Sequence, residues 1–155
     1  METDEFDWEA ELALVVGTQV RRATTSEAEE AIAGFTILND ITCRDWQFRT
    51  REWLQGKNWE STTPVGPTSS RRTRSAVSGR RWRCAATSTP PRCRRTTPGT
   101  CCSTRSRPGD IIATGTPGGV GHARRPPVYL TGGETVVTEI ESLGRLENRV
   151  VVDRR

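Results

Sequence analysis

A chain of 155 residues makes one domain or part of one, and its 33% apolar content is low for a globular protein. The longest clean apolar run, residues 12–16, falls far short of the roughly eighteen needed to span a bilayer. The start, Met-Glu-Thr-Asp-Glu, is acidic where a secretory signal is basic, so no membrane span and a cytoplasmic address are expected. Five cysteines (Cys43, Cys84, Cys93, Cys101, Cys102) lack paired C-x-x-C spacing and stand beside a single histidine, which argues against zinc and for reduced thiols. The net charge of +4 hides a split. Residues 68–107 carry eleven arginines and no acidic residue, leaving 12 Lys+Arg against 19 Asp+Glu elsewhere, a net of −7. An acidic domain thus carries a basic block.

In chain order, Asp7-Trp8-Glu9-Ala10-Glu11-Leu12-Ala13-Leu14-Val15-Val16-Gly17 predicts a buried strand ended by a glycine, with Glu9 and Glu11 at its mouth. Side chains alternate along a strand, so these two carboxylates share a face. Like charges that close resist joint ionisation unless a cation lies between them. The pair asks for a metal or an arginine; the bland alternative is two solvated acids at a strand mouth. Ser26-Glu27-Ala28-Glu29 predicts a capping box opening a short helix to about Ala33, with Gly34 as its stop. Residues 35–41 read as a second strand that emerges at Asn39-Asp40.

Cys43-Arg44-Asp45-Trp46-Gln47 and the segment to Trp53 mix aromatic and charged residues at near-helical spacing. Lys57 then stands out, because the chain has one lysine against 22 arginines. A compact ammonium serves as a point charge or proton carrier where a guanidinium cannot. Chance would also produce a single lysine. Between residues 68 and 107 there is no Leu, Ile, Phe, Tyr or Met, and no periodicity. Such a stretch buries too little apolar surface to offset chain ordering, so disorder is expected there. Residues 108–121 return to a turn, a short apolar strand and a glycine-rich loop whose amides can approach an anion. Residues 134–140 and 146–152 predict an antiparallel hairpin around Leu143-Gly144.

Taken together, E-x-E at Glu9 and Glu11, N-D-x-x-x-R-D-x-Q from Asn39 to Gln47, Gly56-Lys57, and the Gly109–Gly121 run with its Thr-Gly-Thr-Pro core resemble the fumarylacetoacetate hydrolase family. The match covers about residues 7–67 and 107–152, and its nearest branch looks like the bacterial hydroxyheptadienedioate isomerases and oxopentenetricarboxylate decarboxylases. The resemblance implies a mainly β fold, a mixed rolled β-sandwich with short helices, split here into residues 1–67 and 108–155 around the anomalous 68–107. It implies Glu9, Glu11 and Asp40 as ligands of Mg²⁺ or Mn²⁺ and Lys57 as the catalytic group beside the metal. Arg44, Gln47 and Thr116 would bind or orient a small 2-oxo acid substrate. A homodimer is implied as well.

The family's upstream loop, with a histidine and a glutamate that activate water, has no counterpart in the eight residues before Glu9. His122 does not match that motif and is expected at the surface. Isomerisation, decarboxylation or carbon–carbon hydrolysis of 2-oxo or 2-hydroxy-dienoic acids is therefore the expected chemistry, hydrolysis least. An inactive, shortened relative is the first alternative. A basic nucleic-acid-binding protein is the second: eleven arginines could neutralise phosphates, but Trp82 is the block's one aromatic residue for base stacking. The composition of 68–107, with family motifs intact on both sides, matches a GC-rich gene translated in a shifted frame. Reading codons 60–110 in the other two frames should reveal an alternating apolar pattern; two featureless frames would refute this.

Overall fold

A computed structural model describes residues 3–66, 105–141 and 143–152, together with the backbone of 70–71 and 84–86. The architecture is mainly β, with short helices. The central four-stranded sheet runs β6 (Ser70–Arg71), β4 (Ile32–Asn39), β2 (Ala10–Val16), β9 (Ile111–Ala113). A second sheet runs β11 (Gly144–Arg149), β10 (Thr135–Ile140), β7 (Cys84–Ala86). Two-stranded pairs join β1 (Phe6–Asp7) to β5 (Thr42–Cys43) and β3 (Val20–Arg21) to β8 (Arg105–Ser106). Every strand pair among the described residues is antiparallel.

Alternation explains how β2 serves two purposes. Ala10, Leu12 and Leu14 face the core, opposite Asn39, Ile37 and Phe35 of β4. The second sheet closes over this face with Val136, Ile140 and Leu146, and Leu143 joins from the hairpin turn. The odd-numbered face of β2 carries Glu11, Ala13 and Val15, opposite Leu38, Thr36 and Gly34. A one-residue slip would push the carboxylate into the apolar core, so burial on one face fixes the pairing.

The helices are shorter than expected. α1 covers Thr25–Glu30, and its capping box is formed by Thr24 and Glu27, two residues before the predicted Ser26 and Glu29. The sequence offers both frames, and β4 decides between them. That strand begins at Ile32, so the helix has ended by Ala31 and Gly34 lies inside the strand rather than stopping the helix. The other α-helix among the described residues, α2, is the single turn Arg44–Gln47.

Three strands fall within the interval expected to be disordered: 70–71 pairs with β4, 84–86 with β10 and 105–106 with β3. Ladder bonds are made by the main chain, so an edge strand can add to a sheet whatever its composition. Apart from Arg107, the rest of that interval lies outside the described residues. Among the described residues no helix is long and apolar enough to cross a membrane.

Ile37, 1% exposed, is with Ile140 the largest fully buried side chain among the described residues. Ile37→Ala should cost about 2–5 kcal/mol in urea unfolding, from lost transfer energy and the cavity left behind.

Candidate metal centre

The site is assembled where β2 begins and β4 ends. The Asp40 amide donates to the Glu9 carbonyl at 2.9 Å, which continues the ladder one step beyond Ala10 and Asn39. Asp40 therefore sits opposite Glu9 and diagonal to Glu11, the close arrangement expected of cross-strand neighbours. The Glu9 amide is also held, donating to Asn39 Oδ1 at 3.0 Å. Glu9, Glu11 and Asp40 each offer one carboxylate oxygen, and the three atoms lie within 4.8 Å of one another.

Two cations approach this group from different directions. Lys57 follows the 3-10 turn Trp53–Gly56, which packs tightly against α2. A Cβ on Gly56 would fall 2.8 Å from the Cys43 carbonyl oxygen and from Gln47 Cα, so only glycine permits this approach. The Lys57 ammonium then bridges Glu9 Oε2 at 2.7 Å and Asp40 Oδ2 at 2.6 Å. Arg44, at the start of α2, is buried. Its Nη1 donates to Glu9 Oε1 at 2.6 Å and to Gln47 Oε1 at 3.0 Å, while Nε donates to Asp7 Oδ2 at 2.8 Å. The Arg44 Nη2 is 2.7 Å from the same Asp7 oxygen.

The glycine-rich loop completes the third side. Running on from β9, the Gly115 amide donates to Glu11 Oε2 at 2.8 Å. The Thr116 hydroxyl donates to the Ala10 carbonyl at 3.3 Å. His122, expected at the surface, is half-buried; its Nδ1 lies 2.8 Å from the Tyr129 hydroxyl.

Electrostatics favour a further cation here. Fully ionised, Asp7, Glu9, Glu11 and Asp40 would exceed the charges of Arg44 and Lys57 by two. Burial pushes the Glu11 carboxyl up to about 7, aided by the charges of Asp40 and Glu9, although the Gly115 amide and the Lys57 charge pull it down. Burial disfavours the Lys57 ammonium, but the bonds and charges of Asp40 and Glu9 outweigh it and raise its pKa above the ordinary lysine value. Three close oxygen ligands short of positive charge are the donor set that Mg²⁺ or Mn²⁺ takes. The residues present fit such an ion.

Glu9, Glu11, Asp40, Lys57, Arg44, Gln47 and Thr116 all lie in this neighbourhood. Two without a role in the sequence reading lie there too, Asp7 and Asn39. The alternation Asp7-x-Glu9-x-Glu11 is a usable signal for the first, since i, i+2 and i+4 share a face of an extended chain.

The fumarylacetoacetate (FAA) hydrolase C-terminal family model matches residues 1–90 and 100–151. The chain belongs to the fumarylacetoacetate hydrolase family. The match runs further into the arginine-rich interval than the motifs do. A human mitochondrial oxaloacetate tautomerase is 35% identical over 163 residues, covering 97% of this chain and 52% of that protein. A 5-carboxymethyl-2-hydroxymuconate delta-isomerase from Mycobacterium smegmatis superposes with a TM-score of 0.81 at 30% identity, covering 99% of this chain and 62% of that one. A 2-hydroxyhepta-2,4-diene-1,7-dioate isomerase from Mycobacterium marinum gives 0.80 at 30% identity, with 96% and 60% covered. The chain spans about half the length of the curated relatives it matches.

Because the Glu11 carboxyl titrates near 7 when folded against an ordinary value of 4.5, the folded state favours its protonated form. Its contribution is fully present below the unfolded value and is lost as pH rises through the folded one. Metal-free protein should therefore melt at a lower temperature at pH 8 than at pH 5.5, and Glu11→Gln should reduce that difference in a pH series of thermal melts.

Proposed function

We propose that this chain is the metal-binding catalytic region of an enzyme acting on small 2-oxo or 2-hydroxy-dienoic acids. Its reaction class is keto–enol tautomerisation or double-bond isomerisation, with decarboxylation or carbon–carbon cleavage as related outcomes. The observation that carries this reading is the convergence of Glu9, Glu11 and Asp40 within 4.8 Å, with the Lys57 ammonium bridging two of them. Oxaloacetate, the substrate named for the human relative, is the first compound to test.

Glu9, Glu11 and Asp40 would hold Mg²⁺ or Mn²⁺. The ion would supply a Lewis acid for the oxygens of a 2-oxo acid, stabilising the enolate that all these reactions share. Lys57 is the group that moves or shares a proton: its Nζ is bonded to two carboxylates and its side chain keeps 17% of its surface exposed. Such a donor can follow charge as it develops on a substrate oxygen. Arg44 and Gln47 have two roles open to them, orienting substrate or holding other groups of the site. Their burial and the Arg44 bond to Glu9 support the second. Thr116, near the mouth of β2, stays the candidate for the substrate carboxylate. A homodimer and a cytoplasmic address belong to the same reading.

Mn²⁺ or Mg²⁺ should raise the melting temperature, and Asp40→Ala should abolish that rise. Lys57→Met should leave the rise intact while lowering oxaloacetate tautomerisation, followed by enol absorbance, by about 10²–10⁴-fold, as expected for loss of a general acid–base group. A metal-induced rise without turnover on oxaloacetate or acylpyruvates would favour the inactive relative. Metal-independent melting would reject the proposal.

A further inference from the structure

Asp7 is fully buried, yet it belongs neither to the three candidate ligands nor to the hydrophobic core. Its Oδ1 accepts from the Trp8 amide at 2.9 Å and the Gly121 amide at 2.7 Å. Its Oδ2 accepts from the His122 amide at 3.0 Å and from Arg44 Nε at 2.8 Å. One side chain thus ties together the strand before Glu9, the single turn α2 and the far end of the glycine-rich loop. A buried carboxylate requires such a set of donors, and it holds them in return.

We infer that Asp7 is a positioning residue for the metal centre, acting through Arg44 on Glu9 and through Gly121-His122 on the glycine-rich loop. The inference rests on the metal reading above and deepens it. Arg44 bridges Asp7 and Glu9, so the guanidinium that fixes Glu9 Oε1 is itself fixed by Asp7 Oδ2. Glu9 is left with Oε2 bonded to Lys57, which also bonds Asp40. The same Asp7 oxygens anchor Gly121 and His122, and Gly115 of that loop bonds Glu11. Two of the three candidate ligands are therefore oriented by elements that meet at Asp7. No space is left for a substitute geometry at the loop anchor: a Cβ on Gly121 would collide with the Val128 carbonyl oxygen and lie 2.8 Å from Asp7 Oδ1.

An amide in place of this carboxylate keeps the shape, removes the charge and turns one accepting oxygen into a donor aimed at other donors. Mn²⁺ affinity is measured by electron paramagnetic resonance on the full chain for wild type, Asp7→Asn, Arg44→Lys and the double variant. Asp7→Asn should weaken Mn²⁺ binding about 10–100-fold, the range found when groups supporting metal ligands are altered. The double variant should lose little more than Asp7→Asn alone, because the contribution of Arg44 to Glu9 already runs through Asp7. Wild-type hydrogen exchange gives a reading free of folding defects: Mn²⁺ should slow exchange in the peptide holding Gly121 and His122. Unchanged Mn²⁺ affinity in folded Asp7→Asn, fully additive losses, or unaltered exchange at Gly121-His122 with Mn²⁺ bound would each overturn this inference and leave the metal reading standing. Failure of wild type to bind Mn²⁺ would overturn both.

Discussion

Crowded negative charge is the constraint on which this structure turns. Four carboxylates are drawn into one partly buried region, where each ion must be matched by opposite charge or by hydrogen bonds. Arg44 meets part of the requirement from inside and Lys57 from the rim, and backbone amides of residues 115, 121 and 122 add hydrogen bonds. The sheet is what makes the crowding possible. Antiparallel pairing of β2 with β4 sets Glu9 against Asp40, while the even-numbered residues of β2 anchor the opposite face in apolar packing. The acids are held together by the burial of their neighbours.

That division of labour also governs what the sequence discloses. The odd and even faces of residues 9–12 can be read directly, because period-two alternation between charge and hydrocarbon is the mark of a half-buried strand, and the apolar run 12–16 continues it. The lone Lys57 is conspicuous by composition. Asp40 needs the family resemblance, since nothing local states which strand of a sheet will pair with which. The misplaced capping box shows the limit of local signals: Thr24-Glu27 and Ser26-Glu29 are chemically equivalent, and the choice depends on where β4 must start. Alternation places Asp7 on the same face as the two glutamates, but what it holds is hidden from the sequence, because two of its partners are backbone amides more than a hundred residues away.

The arginine-rich interval carries the same lesson for the fold. Composition describes what side chains can bury, and by that measure residues 68–107 have little to offer. Strand pairing answers to the main chain as well, and short pieces at 70–71, 84–86 and 105–106 each extend or pair with a strand outside the interval. The chemistry stays on either side of them. The carboxylates, the lysine and the glycine-rich loop all lie in the flanking residues.

The two oxygens of Glu9 face cations of unequal freedom. On one side is a rigid planar fork, locked among Asp7, Gln47 and the carboxylate itself; on the other is a flexible four-carbon stem near the solvent edge. Side-chain accessibility climbs from 6% at Arg44 to 17% at Lys57 and 21% at Asp40. The centre accordingly has a back wall and a doorway. Solvent reaches the centre along the edge where Asp40 and Lys57 stand, while Arg44 closes the side behind Glu9.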